Sequence, residues 1–306
     1  MYSVKILYFC LTIQLTAMDI DVLWRIGERL LRWGTRVHCT VMPSVYPSYN
    51  HKQYACPIEQ NYHAAGPYAV TYHAIDGTHA FIPDVAQEQA FPLVVMVNGT
   101  GLKALDYAPV FEHLASWGFV VIGNDDPSAW NGRSALTSLD IALQHNDSKS
   151  SPLYHRIDLQ RMGVAGHSQG AIGAINAASA DKRFRVLYAA SCPQAKLAKR
   201  LRWTYSLDGI HVPTMLSAGT WWIERQVSPL ASLERLAGEF PASTPMLMGR
   251  INGIEHRYVL HQGDAYMTAW LRYWLANDTL AAPAFLGAAP EILNNPRWID
   301  VKIALE

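Results

Sequence analysis

Short apolar runs recur along the chain and are separated by stretches with a helical pattern. A continuous apolar run is typical of a strand that is covered on both faces of a sheet. The runs are residues 93–97, 119–122, 161–165, 185–190, 212–218 and 245–251. The helical patterns are residues 107–117, 134–145, 171–180 and 264–276. This alternation predicts an α/β fold with a mainly parallel central sheet and helices on both faces.

The stretch before the first of these runs has a different pattern. Residues 68–75 and 78–82 flank Asp76-Gly77, a dipeptide typical of the two-residue turn of a β-hairpin. Residues 42–66 are rich in Pro, Tyr and His and lack a regular period. They are therefore predicted to form an ordered loop that leads into the hairpin.

The N-terminal segment allows two interpretations. Residues 1–17 resemble a short signal peptide, but Gln14 interrupts the apolar run and Met18 is an alternative start. The run is too short to span a bilayer, so no stable membrane insertion is expected. Residues 19–32 have the pattern of an amphipathic helix packed on the body of the protein. We expect a single domain over residues 18–306, and a cytoplasmic and a secreted or periplasmic location both stay open.

Charge and cysteine content narrow the function. Half of the 306 residues are hydrophobic, only 16% are charged, and the formal net charge is zero. Such a chain has no strong field to attract nucleic acid or an anionic membrane, so a small neutral substrate fits better. The four cysteines lack zinc-type spacing, and neither a metal nor a cofactor is expected. A Cys39–Cys56 disulfide stays open, because spacing cannot establish it.

A Gly-x-Ser-x-Gly pattern is the strongest chemical signal. It runs from Gly166 through Ser168 to Gly170, with an apolar run before it and a small-residue helical run after it. A strand that turns sharply into a helix is the context of a nucleophile elbow, whereas the bare pattern also occurs by chance in ordinary turns. The elbow exposes the serine and places the Gln169 amide at the start of a helix, where it can hold an oxyanion.

A second oxyanion donor is expected upstream, in the loop after the first buried run. That loop reads Asn98-Gly99-Thr100-Gly101, and the Thr100 amide is the candidate. A phosphate-binding loop is the competing interpretation. No Gly-Lys-Ser/Thr follows, so this alternative is disfavoured.

Serine needs a histidine to take its proton and a carboxylate to orient that histidine. Of the histidines after Ser168, His211 lies at the wrong end of a strand, His256 follows the run 245–251, and His261 is the alternative base. Glu224 is the first carboxylate after the run 212–218 and is the candidate acid. Its alternative is a surface salt bridge with Arg225.

Other side chains near these positions have two interpretations. His167, Trp130, Trp221 and Trp222 are candidates to wall the acyl site, although a core or surface role is the alternative for each. Asp125 and Asp126 follow the run 119–122 and could form a metal-binding or acid-base dyad. Adjacent residues at a strand end point in different directions, so the pair is interpreted as loop caps.

Two segments carry a resemblance to a known family: LASWGFVVI at residues 114–122 and RMGVAGHSQG at residues 161–170. With Val212-Pro213-Thr214, they resemble the cutinase-like bacterial polyester hydrolases and the dienelactone-hydrolase-like esterases of the α/β-hydrolase superfamily. The resemblance implies that Ser168 is the nucleophile, His256 the base, and the amides of Thr100 and Gln169 the oxyanion donors.

The chain departs from this family at three places. Relatives carry Asp soon after the acid-bearing strand, where this chain has Trp221-Trp222 and then Glu224. Relatives active on polyesters place an aromatic residue after the preceding strand, where this chain has Ala195-Lys196-Leu197. Many relatives are plainly secreted, whereas this N-terminus allows both interpretations.

The sequence thus predicts a serine carboxylic ester hydrolase that acts on small or polyester-like esters through an acyl-enzyme. A thioesterase, amidase or acyltransferase on the same fold is the first alternative. A binding protein whose triad has decayed is the second, because a fold does not fix a function.

Overall fold

The computed structural model describes residue 54 and residues 56–86 and 89–305, and a nine-stranded sheet lies at its centre. The strands are β1 (Ala69–Ile75), β2 (Thr78–Asp84), β3 (Phe91–Val97), β4 (Val120–Asn124), β5 (Ile157–His167), β6 (Phe184–Ala190), β7 (Thr214–Gly219), β8 (Met246–Ile251) and β9 (Trp298–Ala304). Their spatial order is β1-β2-β4-β3-β5-β6-β7-β8-β9. The strands from β4 to β8 in this order pair in parallel, while β1, β2 and β9 join antiparallel at the two edges.

The helices surround this sheet, as the apolar runs predict. They are α1 (Pro57–His63), α2 (Ala108–Ser116), α3 (Arg133–Asn146), α4 (Gln169–Ala180), α5 (Ala195–Arg200), α6 (Glu224–Val227), α7 (Leu230–Glu239), α8 (Val259–Gln262), α9 (Asp264–Ala276) and α10 (Glu291–Asn294). Every residue of β3 is buried. Because successive strand residues point to opposite faces, both faces of the sheet centre are covered. The predicted α/β-hydrolase architecture is confirmed.

The predicted hairpin is present, and its turn explains its sequence. Asp76 and Gly77 both have positive φ angles, 45° and 77°, between the paired ends of β1 and β2. Two consecutive positive φ angles are the mark of a type I′ turn, which favours an Asp or Asn followed by Gly.

Two elements differ from the sequence-based expectation. Residues 57–63 form helix α1 within the stretch 42–66 that was expected to be a loop. Pro57 fits the first turn of α1, and the carboxylate of Glu291 accepts hydrogen bonds from the amides of Ile58 and Glu59 at 2.8 and 2.9 Å. The edge strand β9 was not predicted; its residues alternate between more and less buried positions.

Several expectations fall on residues outside the described part of the chain. These are the signal-like segment 1–17, the amphipathic helix 19–32, most of the stretch 42–66, and Cys39. Cys56 and Cys192 are free thiols. No helix among the described residues combines the length and the apolar character that a bilayer span needs. Across those same ranges, no three His, Cys, Asp or Glu side chains are grouped to hold a metal ion.

The sheet order brings the candidate site together. Strands β3, β5, β7 and β8 run parallel, so their carboxyl ends meet at one edge of the sheet. The loop of Thr100 follows β3, Ser168 follows β5, Glu224 follows β7, and His256 follows β8. An open α/β sheet binds its ligands at this edge.

Candidate active site

Ser168 lies at a strained turn between β5 and α4. Its φ of 58° and ψ of −122° are unfavourable for a residue with a side chain. A β-carbon on Gly166 would overlap the carbonyl of Gly170, and one on Gly170 would overlap the carbonyl of Val97. The two glycines of the pattern therefore allow three backbone segments to approach closely, and the strand-turn-helix context of the elbow is present.

Ser168, His256 and Glu224 form a continuous chain of hydrogen bonds. His256 Nε2 is 2.9 Å from Ser168 Oγ, and His256 Nδ1 is 2.5 Å from Glu224 Oε2. An ionised carboxylate can only accept, so the proton of a neutral His256 is on Nδ1. Nε2 is then free to accept the proton of the serine hydroxyl, which is the geometry that a general base requires.

Glu224 is fully buried and is therefore not part of a surface salt bridge. Arg225, its alternative partner, donates instead to the carbonyl of Thr220 at 2.9 Å. Burial alone would raise the pKa of Glu224, but the facing charge of His256 and its hydrogen bond hold that pKa below the usual range. The Gly219 amide adds a hydrogen bond to the second carboxylate oxygen at 2.9 Å. Glu224 is thus an anion at neutral pH.

The loop that carries Glu224 is bound to the loop that carries His256. The amides of Thr220 and Trp221 both donate to the carbonyl of Ile254 at 3.0 Å. The Gly253 amide donates to the Thr220 hydroxyl at 2.7 Å. A β-carbon on Gly219 would overlap the Ile254 carbonyl, so glycine is required at the end of β7. These contacts fix an acid that lies five residues beyond the end of its strand.

The two candidate oxyanion donors lie on different segments, Gln169 directly after Ser168 and Thr100 in the loop after β3. Gln169 is the first residue of α4, so its amide is among the N–H groups that have no partner within the helix. Thr100 lies in a tight turn closed by a 3.1 Å hydrogen bond from the Leu102 amide to the Gly99 carbonyl. The side chain of Asn98 anchors this turn to the carbonyl of Asn124 at the end of β4.

His167 connects the turn of Thr100 with the loop of His256. Its Nε2 donates to the His256 carbonyl at 2.8 Å, and its Nδ1 accepts from the Tyr107 hydroxyl at 2.9 Å. The same hydroxyl accepts from the Gly99 amide at 3.0 Å. His167 is 2% exposed, and burial together with the charge of His256 lowers its pKa to about 3. His167 is therefore neutral and occupied at both ring nitrogens, and its contacts are those of a positioning residue.

Tyr107 was not singled out in the sequence, where it began a predicted helix. It lies instead in a 3₁₀ turn, Ala104–Tyr107, just before α2. No local pattern marks it, because its partners are 8 and 60 positions away in the chain.

The three tryptophan candidates occupy different environments. Trp130 is half-buried and packs against the hydrophobic core, and its carbonyl accepts from Asn176 at 2.8 Å. Trp221 and Trp222 are 56% and 73% exposed on the loop before Glu224. The structure thus brings Trp221 and Trp222 to the active-site edge as exposed aromatic side chains, and Trp130 to a core contact.

The remaining candidates lie outside the triad. His211 hydrogen-bonds Ser243 at the surface, and His261 lies within α8. Asp125 accepts from the Ala104 amide at 3.0 Å and Asp126 from the Ser128 amide at 2.8 Å. Their interpretation as loop caps is confirmed.

Comparison with known proteins gives a family. The family model described as PETase, PET hydrolase-like, matches residues 62–296. A bis(hydroxyethyl) terephthalate hydrolase of Streptomyces coelicolor is 25% identical over 231 residues, which cover 70% of this chain and 69% of that protein. Chlorophyllase-1, chloroplastic, of Citrus unshiu is 26% identical over 91 residues, which is 28% of each chain. The chain therefore belongs to the PET hydrolase-like family of the α/β-hydrolase superfamily and is a hydrolase of esters.

Proposed function

We propose that the protein is a serine carboxylic ester hydrolase with a Ser168–His256–Glu224 triad and a covalent acyl-enzyme. The observation that carries this proposal is the unbroken chain of hydrogen bonds from Ser168 Oγ through both nitrogens of His256 to the buried Glu224. Serine is a weak nucleophile at neutral pH, and this arrangement supplies the base and the orienting carboxylate that activate it.

The reaction begins when Ser168 Oγ attacks the ester carbonyl carbon and its proton passes to His256 Nε2. The oxygen of the tetrahedral intermediate takes up the negative charge and is stabilised by the amides of Thr100 and Gln169. The protonated His256 then gives its proton to the departing alcohol, and the C–O bond of the ester breaks. Glu224 stabilises the imidazolium without taking its proton.

Water completes the cycle. His256 removes a proton from a water molecule, which attacks the acyl-enzyme, and the same proton then returns to Ser168 Oγ as the acid leaves. Every step uses side chains and amides of the protein, so the proposed cycle calls for no metal ion or cofactor.

The proposed substrates are small or polyester-like carboxylic esters. The Streptomyces coelicolor relative is named for a terephthalate ester, and the exposed Trp221 and Trp222 lie on the loop that carries the acid. Aromatic side chains there offer flat apolar surface to the acyl or alcohol part of an ester. The low charge of the chain also favours an uncharged substrate.

The test is hydrolysis of short p-nitrophenyl esters by the purified protein, beside Ser168→Ala and His256→Ala. We expect both variants to lose about a thousandfold or more in kcat, because each removes a group that forms or breaks a bond. A fluorophosphonate probe should label the unmutated protein but not Ser168→Ala. An unmutated protein that is inert to both the esters and the probe would instead favour a decayed binding protein.

Matched panels of ester, thioester and amide substrates separate the hydrolase classes on this fold. The proposal requires the highest kcat/KM for the oxygen esters. A preference for thioesters or amides, or transfer of the acyl group to added alcohol in place of water, would assign the triad to a thioesterase, an amidase or an acyltransferase.

A further inference from the structure

We propose that Glu255 is a positioning residue that holds the acid loop in place for catalysis. The acid loop is the segment 220–224, which follows β7 and ends with Glu224. The inference rests on the proposed triad and adds to it a second carboxylate, immediately before His256 in the chain. Glu255 touches no reacting atom. It acts through the backbone of Ile223, the residue before Glu224.

The contact that carries the inference joins the two catalytic loops. The carboxylate of Glu255 accepts the Ile223 amide with both oxygens, at 3.1 and 3.3 Å. Ile223 is the residue before Glu224, and its carbonyl accepts from the amides of Gln226 and Val227 at 2.8 and 3.0 Å. The Glu255 side chain therefore fixes the N-cap residue of α6, the single helical turn that carries the proposed catalytic acid.

The two loops thus hold each other from opposite directions. The side chain of Glu224, on the acid loop, orients the side chain of His256 on the base loop, the segment 252–256 that follows β8. The side chain of Glu255, on the base loop, holds the backbone of Ile223 on the acid loop. Helix α6 has only four residues, and an isolated turn of this length is unstable without tertiary contacts. The contact of Glu255 supplies one at the position where a small shift would separate Glu224 from His256.

The contact between Glu255 and Ile223 is shielded from solvent, since Glu255 is only 7% exposed. Burial and the nearby charge of Glu224 raise its pKa, while the Ile223 amide and the charge of His256 oppose the rise. An ionised group in this environment is stabilised by those hydrogen bonds and by the imidazolium that forms during the reaction.

The experiment compares the kcat and KM of Glu255→Gln and Glu255→Ala with those of the unmutated protein on p-nitrophenyl esters. Gln keeps an acceptor oxygen for the Ile223 amide, whereas Ala has none. We expect Glu255→Ala to lose about 10- to 100-fold in kcat with little change in KM, because a small displacement of a catalytic group slows the chemical step. Glu255→Gln should recover most of that loss.

Glu291→Ala is the matched control. Glu291 is the first residue of α10, and its carboxylate also accepts two backbone amides, those of Ile58 and Glu59 at the start of α1. None of these contacts involves a triad residue. This variant should lower the melting temperature and leave kcat unchanged.

Three outcomes decide against the proposal. If Glu255→Ala keeps the kcat of the unmutated protein while Ser168→Ala is inactive, Glu255 has no positioning role. If both Glu255 variants lose only thermal stability, as Glu291→Ala does, the residue is structural and the inference is wrong. If Ser168→Ala is as active as the unmutated protein, the triad itself is wrong and the role of Glu255 falls with it.

Discussion

Glu224 and Glu59 are both buried glutamates with several hydrogen-bond partners, but their networks differ in one respect. Glu59 is 1% exposed and accepts from Arg297 at 2.6 Å, from Asn295 at 2.8 Å and from Trp298 at 3.1 Å. Those donors are held in place by β9 and the segment before it. Glu224 accepts from His256, whose other nitrogen faces a reactive hydroxyl.

The difference teaches how one residue type serves stability at one place and chemistry at another. The network of Glu59 is closed within the protein: Arg297 and Asn295 bond in addition to Gln262 and to the Tyr266 hydroxyl. It ties α1 to a strand more than 230 positions away. The network of Glu224 is open at Ser168, the proposed nucleophile. Substitutions in the first should therefore change the free energy of unfolding, and substitutions in the second should change the rate.

The largest expected effect is that of Glu224→Gln. The amide can no longer stabilise a protonated His256, and it can hold the imidazole in the wrong tautomer. We expect kcat to fall by about 10³- to 10⁴-fold, as for the equivalent change in other triads. Steady-state kinetics on p-nitrophenyl esters measure it, and thermal unfolding checks that the variant is folded. A variant with a near-full rate would place the catalytic acid elsewhere.

Glu59→Gln should reverse this pattern. The change leaves the guanidinium of Arg297 buried without its counter-ion, and breaking such a pair costs about 3–5 kcal/mol. Denaturant unfolding measures the loss, while kcat per folded molecule should stay unchanged. Glu234→Gln is the control, because the exposed ion pair of Glu234 with Lys302 should contribute about 1 kcal/mol or less. Equal losses in the two variants would argue against a closed buried network at Glu59.

Tyr107→Phe tests the connection between the turn of Thr100 and the loop of His256. The Gly99 amide and Nδ1 of His167 both lose a partner, and the ring keeps its shape. We expect about a 10- to 100-fold loss in kcat with KM nearly unchanged, because the proposed role of the Thr100 amide is to stabilise the transition state. Tyr72→Phe, at an exposed tyrosine that bonds His79, is the control. A loss in KM alone would assign Tyr107 to substrate binding.

The smallest effect concerns acid stability. His167 has a pKa of about 3 in the folded protein, against about 6.5 in an unfolded chain. Between these values the unfolded state binds more protons, so the stability from neutral His167 is complete above about pH 6.5 and declines as pH falls. The slope is up to about 1.4 kcal/mol per pH unit.

Denaturant unfolding between pH 6.5 and 4.5 measures this decline. We expect the unmutated protein to lose stability more steeply than His167→Gln, which has no titrating ring. Parallel slopes would mean that His167 is accessible to protons in the folded state.

Sequence alone determined the central sheet and the strand-turn-helix elbow at Ser168, because both depend on local signals. Continuous apolar runs identified β3, β5 and β8, and two glycines around Ser168 identified the elbow, since no other residue fits a turn that tight. Chain order also selected His256 and Glu224 as candidates. The helix α1 and the edge strand β9 were missed, because a short helix and a half-exposed strand depend on distant partners for their stability.

Tertiary structure decided which residues meet. Whether Glu224 contacts His256 or pairs with Arg225 at the surface depended on how two loops 32 positions apart come together. The connection from Gly99 through Tyr107 and His167, and the contact of Glu255 with Ile223, have no sequence pattern for the same reason. Local patterns record the strand, the helix and the tight turn, whereas side-chain contacts across loops depend on where the strands of the sheet end.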